Sequence, residues 1–302
     1  MRLAEVESAL RAVVAGRDDL IVTDHPLVHR AGRFSFLRIA SARIGHDDPV
    51  LLVRAGVHGD ERSGPVALAR HLGAVVDAAH ARGVRLICYP LGNPSGYQAG
   101  TRYNADRDPG PDGNNDFLRY RHPDGSIGAS LAPGAAFDGF AWASVPELGL
   151  ALPAETALMH ALLARDPLHQ IRAALDLHQD HLTPGMPPGA YHYAFGDLGR
   201  YRAVVERIRA HCPILAGHAV GAGFGTRIDA SGQVVGTPDA ERAMTTDADG
   251  FIVRHDGTLS DLMHHLGVAH SVAAETSGAT PLDVAVAVNR CWIEGLVALV
   301  AR

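Results

Sequence analysis

The chain has 302 residues, 47% hydrophobic and 20% charged, enough to bury a large core, and single α/β domains reach this size. Its formal charge is −6, all 27 basic residues are Arg, and no basic stripe stands out, which sets nucleic acid aside as a partner. No uninterrupted apolar run reaches the roughly 18 residues of a spanning helix, so no membrane association is expected.

MRLAEVESALRAVVAGRDDL opens the chain as an amphipathic helix and lacks the long apolar stretch of a secretion signal. Three cysteines, Cys88, Cys212 and Cys291, stand far apart without CxxC spacing. Buried thiols are expected of Cys88 and Cys291, and the odd count fits a reducing cytoplasm. The first clear strand, 49–57, is an apolar run ended by His58-Gly59. Helical periodicity follows over 64–82, with Pro65 in the first turn, and then a second strand over 85–94 stopped by Gly-Asn-Pro. Strand, helix and strand in this compass form a βαβ unit and predict a parallel pair.

Residues 95–150 are rich in Gly, Pro, Asp and Asn with little periodicity; a loop that long is usually functional. A helix is predicted over 153–166, a buried strand over 173–178, a helix near 199–211 and a strand over 267–275. PLDVAVAVNRCWIEGLVALVAR closes the chain as a long helix opening on proline. The pattern predicts one α/β domain over 1–302 with a mixed, mainly parallel central sheet flanked by helices. Residues 1–48 form a helix and hairpin-like lead-in, and 95–150 and 183–260 form the walls of a pocket.

The strands stop at His58, Asn93, His178 and Glu275, and open α/β sheets bind ligands beyond the carboxyl ends of their strands. His58-Gly-Asp-Glu61 is an HxxE pair after a strand, and a tight turn at Gly59 can aim both side chains at one point with Asp60 outward. Imidazole and carboxylate are good zinc ligands, and catalytic zinc commonly takes three protein ligands. His178, in LDLHQDH, is the preferred third; Asp180 and His181 compete with it, and Asp176, His178 and Asp180 share one face if the strand persists. Glu275 supplies the separate carboxylate that must move a proton between water and a leaving amine. Arg102, on the long loop, is a cation able to stabilise an oxyanion.

Taken in order, His58-Gly-Asp-Glu61, Asn93-Pro-Ser-Gly96, Thr101-Arg102-Tyr-Asn104, Asp112-Gly-Asn114, Pro153-Ala-Glu155-Thr156, Asp176-Leu-His178 and Glu275 resemble the M14 zinc carboxypeptidase-like family. That family joins metallopeptidases to the succinylglutamate desuccinylase and aspartoacylase deacylases. The resemblance runs from about residue 50 to the C-terminus and implies a carboxypeptidase-like fold with one Zn(2+) per chain. It makes His58, Glu61 and His178 the metal ligands, Glu275 the general acid/base and Arg102 the carbonyl-polarising arginine. It makes Asp112 the partner that orients His58, and Asn114 and Asn115, with Arg102, substrate-binding residues.

Two departures shape the functional expectation. Where the family has Asp-x-Asn-Arg, this chain has Asp112-Gly-Asn114-Asn115, and an amide cannot replace the charged fork that grips a terminal carboxylate. The family's substrate-binding tyrosine falls near Val253, followed by Arg254 and His255, and no tyrosine stands there. The sequence therefore points to hydrolysis of an amide bond in a small N-acylated or peptide-like molecule. The alternatives are a carboxypeptidase whose clamp comes from Arg119, Arg121 or Arg254, and a catalytically degenerate binding protein. Substrate identity and oligomeric state are not legible.

Overall fold

The computed structural model describes residues 1–107, 119–128, 139–141, 153–195, 198–221, 225–237 and 258–301. Helix α1 (Leu3–Ala15) precedes a long antiparallel hairpin, β1 (Leu20–His29) and β2 (Gly32–Ser41). The expected βαβ unit follows as β3 (Val50–Ala55), α2 (Ser63–His80) and β4 (Arg85–Tyr89), with β3 and β4 parallel. Every residue of β3 is buried, as a strand covered on both faces must be. Short helix α3 (Pro94–Ala99) comes next, and then the small strands β5 (Arg119–Arg121), β6 (Ile127–Gly128) and β7 (Gly139–Ala141), which form a sheet of their own.

Helix α4 (Ala154–Leu163), strands β8 (Ile171–Asp180) and β9 (Ala190–Ala194), and helix α5 (Arg202–Arg209) continue the chain. After the hairpin β10 (Thr226–Ile228) and β11 (Val234–Gly236) come α6 (Leu259–His265), β12 (His270–Ser277) and α7 (Leu282–Val300). The main sheet has seven strands in the order β1-β2-β4-β3-β8-β12-β9. Its four inner strands β4, β3, β8 and β12 are parallel, and the outer ones join antiparallel. Among the described residues no helix is long and apolar enough to cross a membrane.

One face of the sheet packs Leu51, Val53, Leu175 and Val272 against α1, α2, α5 and α7, through Leu10, Leu72, Ile208 and Trp292. The other packs Val50, Leu52 and Ala174 against α4 and α6, through Met159, Leu163 and Leu262. All three cysteines are free and buried, and burial pushes the Cys88 thiol up to about 12.

Several boundaries differ from the sequence expectation. The strands carrying His178 and Glu275 do not stop there but run two residues further, to Asp180 and Ser277, because their neighbours continue the hydrogen-bond ladder. Asn93 does not simply end a strand; its Oδ1 accepts from the Gly96 N–H at 2.9 Å and caps α3, with Pro94 at the first helical position. Strand β9 is a further correction to the 183–260 segment, where the turn-forming residues around it hide a five-residue strand.

The polypeptide leaving β3 is held by close backbone approach. Gly59 lies against α3, where an added Cβ would come within 2.1 Å of the Gly96 carbonyl carbon and 2.3 Å of the Tyr97 nitrogen. Its N–H donates to the Arg102 carbonyl at 3.0 Å, which also accepts from Asn93 Nδ2 at 3.1 Å. Gly59 is required here for contact with another backbone and not for an unusual φ. Gly59→Ala is therefore expected to cost about 1–3 kcal/mol in urea unfolding. Gly73→Ala in α2, where a Cβ meets only Val13 Cγ1 at 3.8 Å, is expected to be neutral or to stabilise by up to about 1 kcal/mol.

On β9, His192 turns toward α7, its ring 4.9 Å from the Trp292 ring and 6.3 Å from that of Tyr201. Burial lowers its pKa from 6.5 to about 4. As pH falls the unfolded chain takes up this proton first, so the stabilisation present above pH 6.5 is lost progressively toward pH 4. The shift corresponds to about 3 kcal/mol. Chemical unfolding at a series of pH values is expected to show a shallower acid loss for His192→Phe than for the wild type.

Candidate metal centre

Past β3, the turn through Gly56 (φ +63°) and Val57 delivers His58, and the Glu61 N–H closes the turn on the His58 carbonyl at 3.3 Å. Both side chains then face the carboxyl end of β8. His58, Glu61 and His178 are all buried, and one donor atom from each lies within 4.8 Å of the others. Asp180 is otherwise engaged: it accepts from the Leu182 and Thr183 N–H groups at 2.7 and 3.0 Å and from the Tyr191 hydroxyl at 2.8 Å. His181 is exposed. Of the three alternatives on β8 and just beyond, His178 is the one that meets the pair.

Glu61 is the hub. Its Oε1 is 2.8 Å from His58 Nδ1 and 3.0 Å from Arg102 Nη1. Its Oε2 is 2.9 Å from His178 Nδ1 and 3.1 Å from the Gln179 backbone N–H. Burial works against its charge, yet His58 and His178 hold the carboxyl well below the usual range. Burial likewise opposes a charged His178, but Asp176, Glu61 and Glu275 outweigh it and hold that imidazole well above its ordinary value. His178 Nε2, on the outer side of the ring, is 2.9 Å from Asp176 Oδ2.

Glu275 stands in direct register with His178 on the neighbouring parallel strand, so both side chains leave the same face. Across the other edge of β12 it is paired with Tyr191. Burial raises the Glu275 carboxyl well above the usual carboxylate range, and Glu61 and Asp180 raise it further against the pull of His178 and Arg102. Its Oε2 is buried without a hydrogen bond among the described residues.

Arg102 reaches Glu61 from the loop after α3, and that loop is pinned from below. Glu155 on α4 accepts from Ser95 Oγ at 3.3 Å and Asn104 Nδ2 at 2.7 Å, and lies 2.8 Å from His29 Nε2. Asp60 does not point fully outward: it is half-buried, and burial with Glu61 close by raises its carboxyl. Asp112, Asn114, Asn115, Val253, Arg254 and His255 lie outside the described residues.

The donor set fits a zinc ion. Two imidazoles and one carboxylate, each with a donor atom within 4.8 Å of the others, are a set that would hold such an ion. The outer hydrogen bond to Asp176 is the kind that fixes a metal-bound imidazole. Sequence reasoning placed Asp176 in the motif without a role, although its position two residues before His178 on one strand face was the available signal. Arg54, which pairs with Asp176, was missed; a charged residue inside the apolar run VLLVRA was the clue.

Residues 47–120 match the family model of the succinylglutamate desuccinylase/aspartoacylase catalytic domain. Among solved structures, the chain is similar to a protein of Shewanella baltica OS155 assigned as a metallopeptidase, with 18% identity and a TM-score of 0.63 over 98% of this chain and 90% of that one. It is also similar to a Pseudomonas aeruginosa metallo-carboxypeptidase bound to (2-guanidinoethylmercapto)succinic acid, with 14% identity and a TM-score of 0.55 over 98% and 69% of the two chains. Bovine thrombin-activatable fibrinolysis inhibitor, in complex with tick carboxypeptidase inhibitor, gives 12% identity and a TM-score of 0.56 over 99% and 96%. No curated protein sequence matches the chain. The segment that holds His58, Glu61 and Arg102 thus has the pattern of the succinylglutamate desuccinylase/aspartoacylase catalytic domain, carried on a carboxypeptidase-like α/β fold.

Proposed function

We propose that the protein is a zinc-dependent hydrolase that cleaves an amide bond in a small N-acylated or peptide-like substrate. The observation that carries this reading is the buried meeting of His58, Glu61 and His178, with Glu275 in register beside His178. Zinc held by those three residues supplies a Lewis acid that makes water nucleophilic near neutral pH and draws charge from a carbonyl.

The remaining chemistry belongs to the chain. Glu275 takes a proton from the attacking water, and burial, which raises its carboxyl above the usual carboxylate range, makes it the stronger base. The same carboxyl then gives the proton to the amine nitrogen as the C–N bond breaks, leaving an acid and an amine. Arg102, a fixed positive charge beside Glu61, faces the charge that develops on the carbonyl oxygen. Its backbone carbonyl, held by the Gly59 N–H and Asn93 Nδ2, fixes where the arginine leaves its loop.

Deacylase or amidase action is favoured because Asn115 stands where a carboxylate-clamping arginine is expected, and because the matched catalytic domain is that of deacylases. A carboxypeptidase is the second reading, favoured by the similarity to metallo-carboxypeptidases in fold. Zinc-loaded protein assayed on N-acyl amino acids, on peptides with a free C-terminus and on their C-terminal amides separates the two. Deacylase action predicts turnover of the acyl amino acids and no preference for the free acid; a strong free-acid preference selects the carboxypeptidase. Glu275→Gln is expected to lower kcat about 10²- to 10⁴-fold with zinc still bound. Unaltered activity in that variant sinks the mechanism.

A further inference from the structure

The reaction outlined above uses His58, Glu61, His178, Glu275 and Arg102 and leaves a buried arginine without a purpose. Arg54 is 1% exposed in the middle of β3. A guanidinium so placed is costly to bury unless it is well paired. It lies on the face covered by α4, with Nη1 3.9 Å from Met159 Sδ, and strand register sets it directly beside Asp176. Its Nε donates to Asp176 Oδ1 at 2.9 Å while Nη2 donates to Oδ2, a two-point fork. The same Oδ2 meets His178 Nε2 at 2.9 Å.

A carboxylate gripped at one oxygen keeps freedom about its last torsion, whereas one gripped at both has its plane fixed. The ring that bonds to it inherits that fixed direction. We propose that Arg54 is a positioning residue of the metal centre: it clamps Asp176, and Asp176 holds the His178 ring with Nδ1 turned toward Glu61. The proposal rests on the zinc reading given above.

Zinc affinity, measured by competition with a chromophoric chelator, tests this directly, with thermal unfolding in EDTA recorded for each variant. Arg54→Met is expected to weaken zinc binding about 10- to 100-fold, and Arg54→Lys by less, since lysine keeps the charge and loses the fork. With Asp176→Asn already present, Arg54→Met is expected to change the affinity by no more than about twofold, because the clamp then has nothing to act through. Wild-type affinity in a folded Arg54→Met protein overturns the proposal. So does an equal loss from Arg54→Met whether or not Asp176 is intact, which a merely structural role predicts. If Arg54→Met does not fold, Arg54→Lys carries the test, and wild-type affinity in that variant overturns the proposal. A wild-type protein that binds no zinc removes the metal reading itself, and this inference with it.

Discussion

One buried carboxylate ties the site together. Glu61 is reached by His58 from its own turn, by His178 and the Gln179 N–H from β8, and by Arg102 from the loop after α3. Three segments far apart in sequence thus converge on two oxygen atoms. A carboxylate taken from water into this setting is stabilised only if each lone pair finds a donor or a cation. The position of Glu61 therefore fixes how closely β3, β8 and the Arg102 loop approach one another. Gly59 permits that approach, because any larger residue would push the turn away from α3.

The sheet supplies the second constraint. Parallel pairing sets Arg54 opposite Asp176, and His178 opposite Glu275, while antiparallel pairing sets Glu275 opposite Tyr191. Since alternate residues of a strand share a face, Asp176 and His178 emerge together, beside their partners on β3 and β12. A slip of one residue in any of these registers would move these polar side chains to the opposite face, among Leu51, Val53 and Leu175. The apolar residues between them, such as Leu175, Leu177 and Ala274, hold that register by packing against the other helical layer. On the site's own face the same strands bury Val50, Leu52 and Ala174 against α4 and α6, and the polar side chains follow toward the carboxyl ends.

This division explains what the sequence disclosed. Period, length and terminating residues marked β3, α2, β4, α4 and α7, because each buries a continuous stripe or run. The three donors and Glu275 stood at or near the ends of such runs, where polar residues break an apolar pattern. Strand β9 and helix α3 were hidden because turn-forming residues surround them and their stability comes from contacts made elsewhere: β9 from the edge of β12, α3 from Asn93 and the Gly59 turn. Arg54 stood out as a charge in an apolar run, but its partner could not be read, for a related reason. Its meaning depends on a carboxylate 122 residues away that only strand pairing brings to it.

The charges at the centre are also ordered. From Arg54 the contacts pass to Asp176, to His178, to Glu61 and to Arg102, alternating in sign at every step when His178 is protonated. Buried charges in an alternating row screen one another, so each is tolerated where alone it would be expelled or neutralised. The proton on His178 then occupies the place in this sequence that a bound cation would take, and a metal entering there meets an environment already arranged for positive charge. Glu275 lies at the side of the row, and its second oxygen makes no hydrogen bond among the described residues. It stays within the field of the row all the same: its charge raises His178, and His178 and Arg102 pull against the burial that raises Glu275.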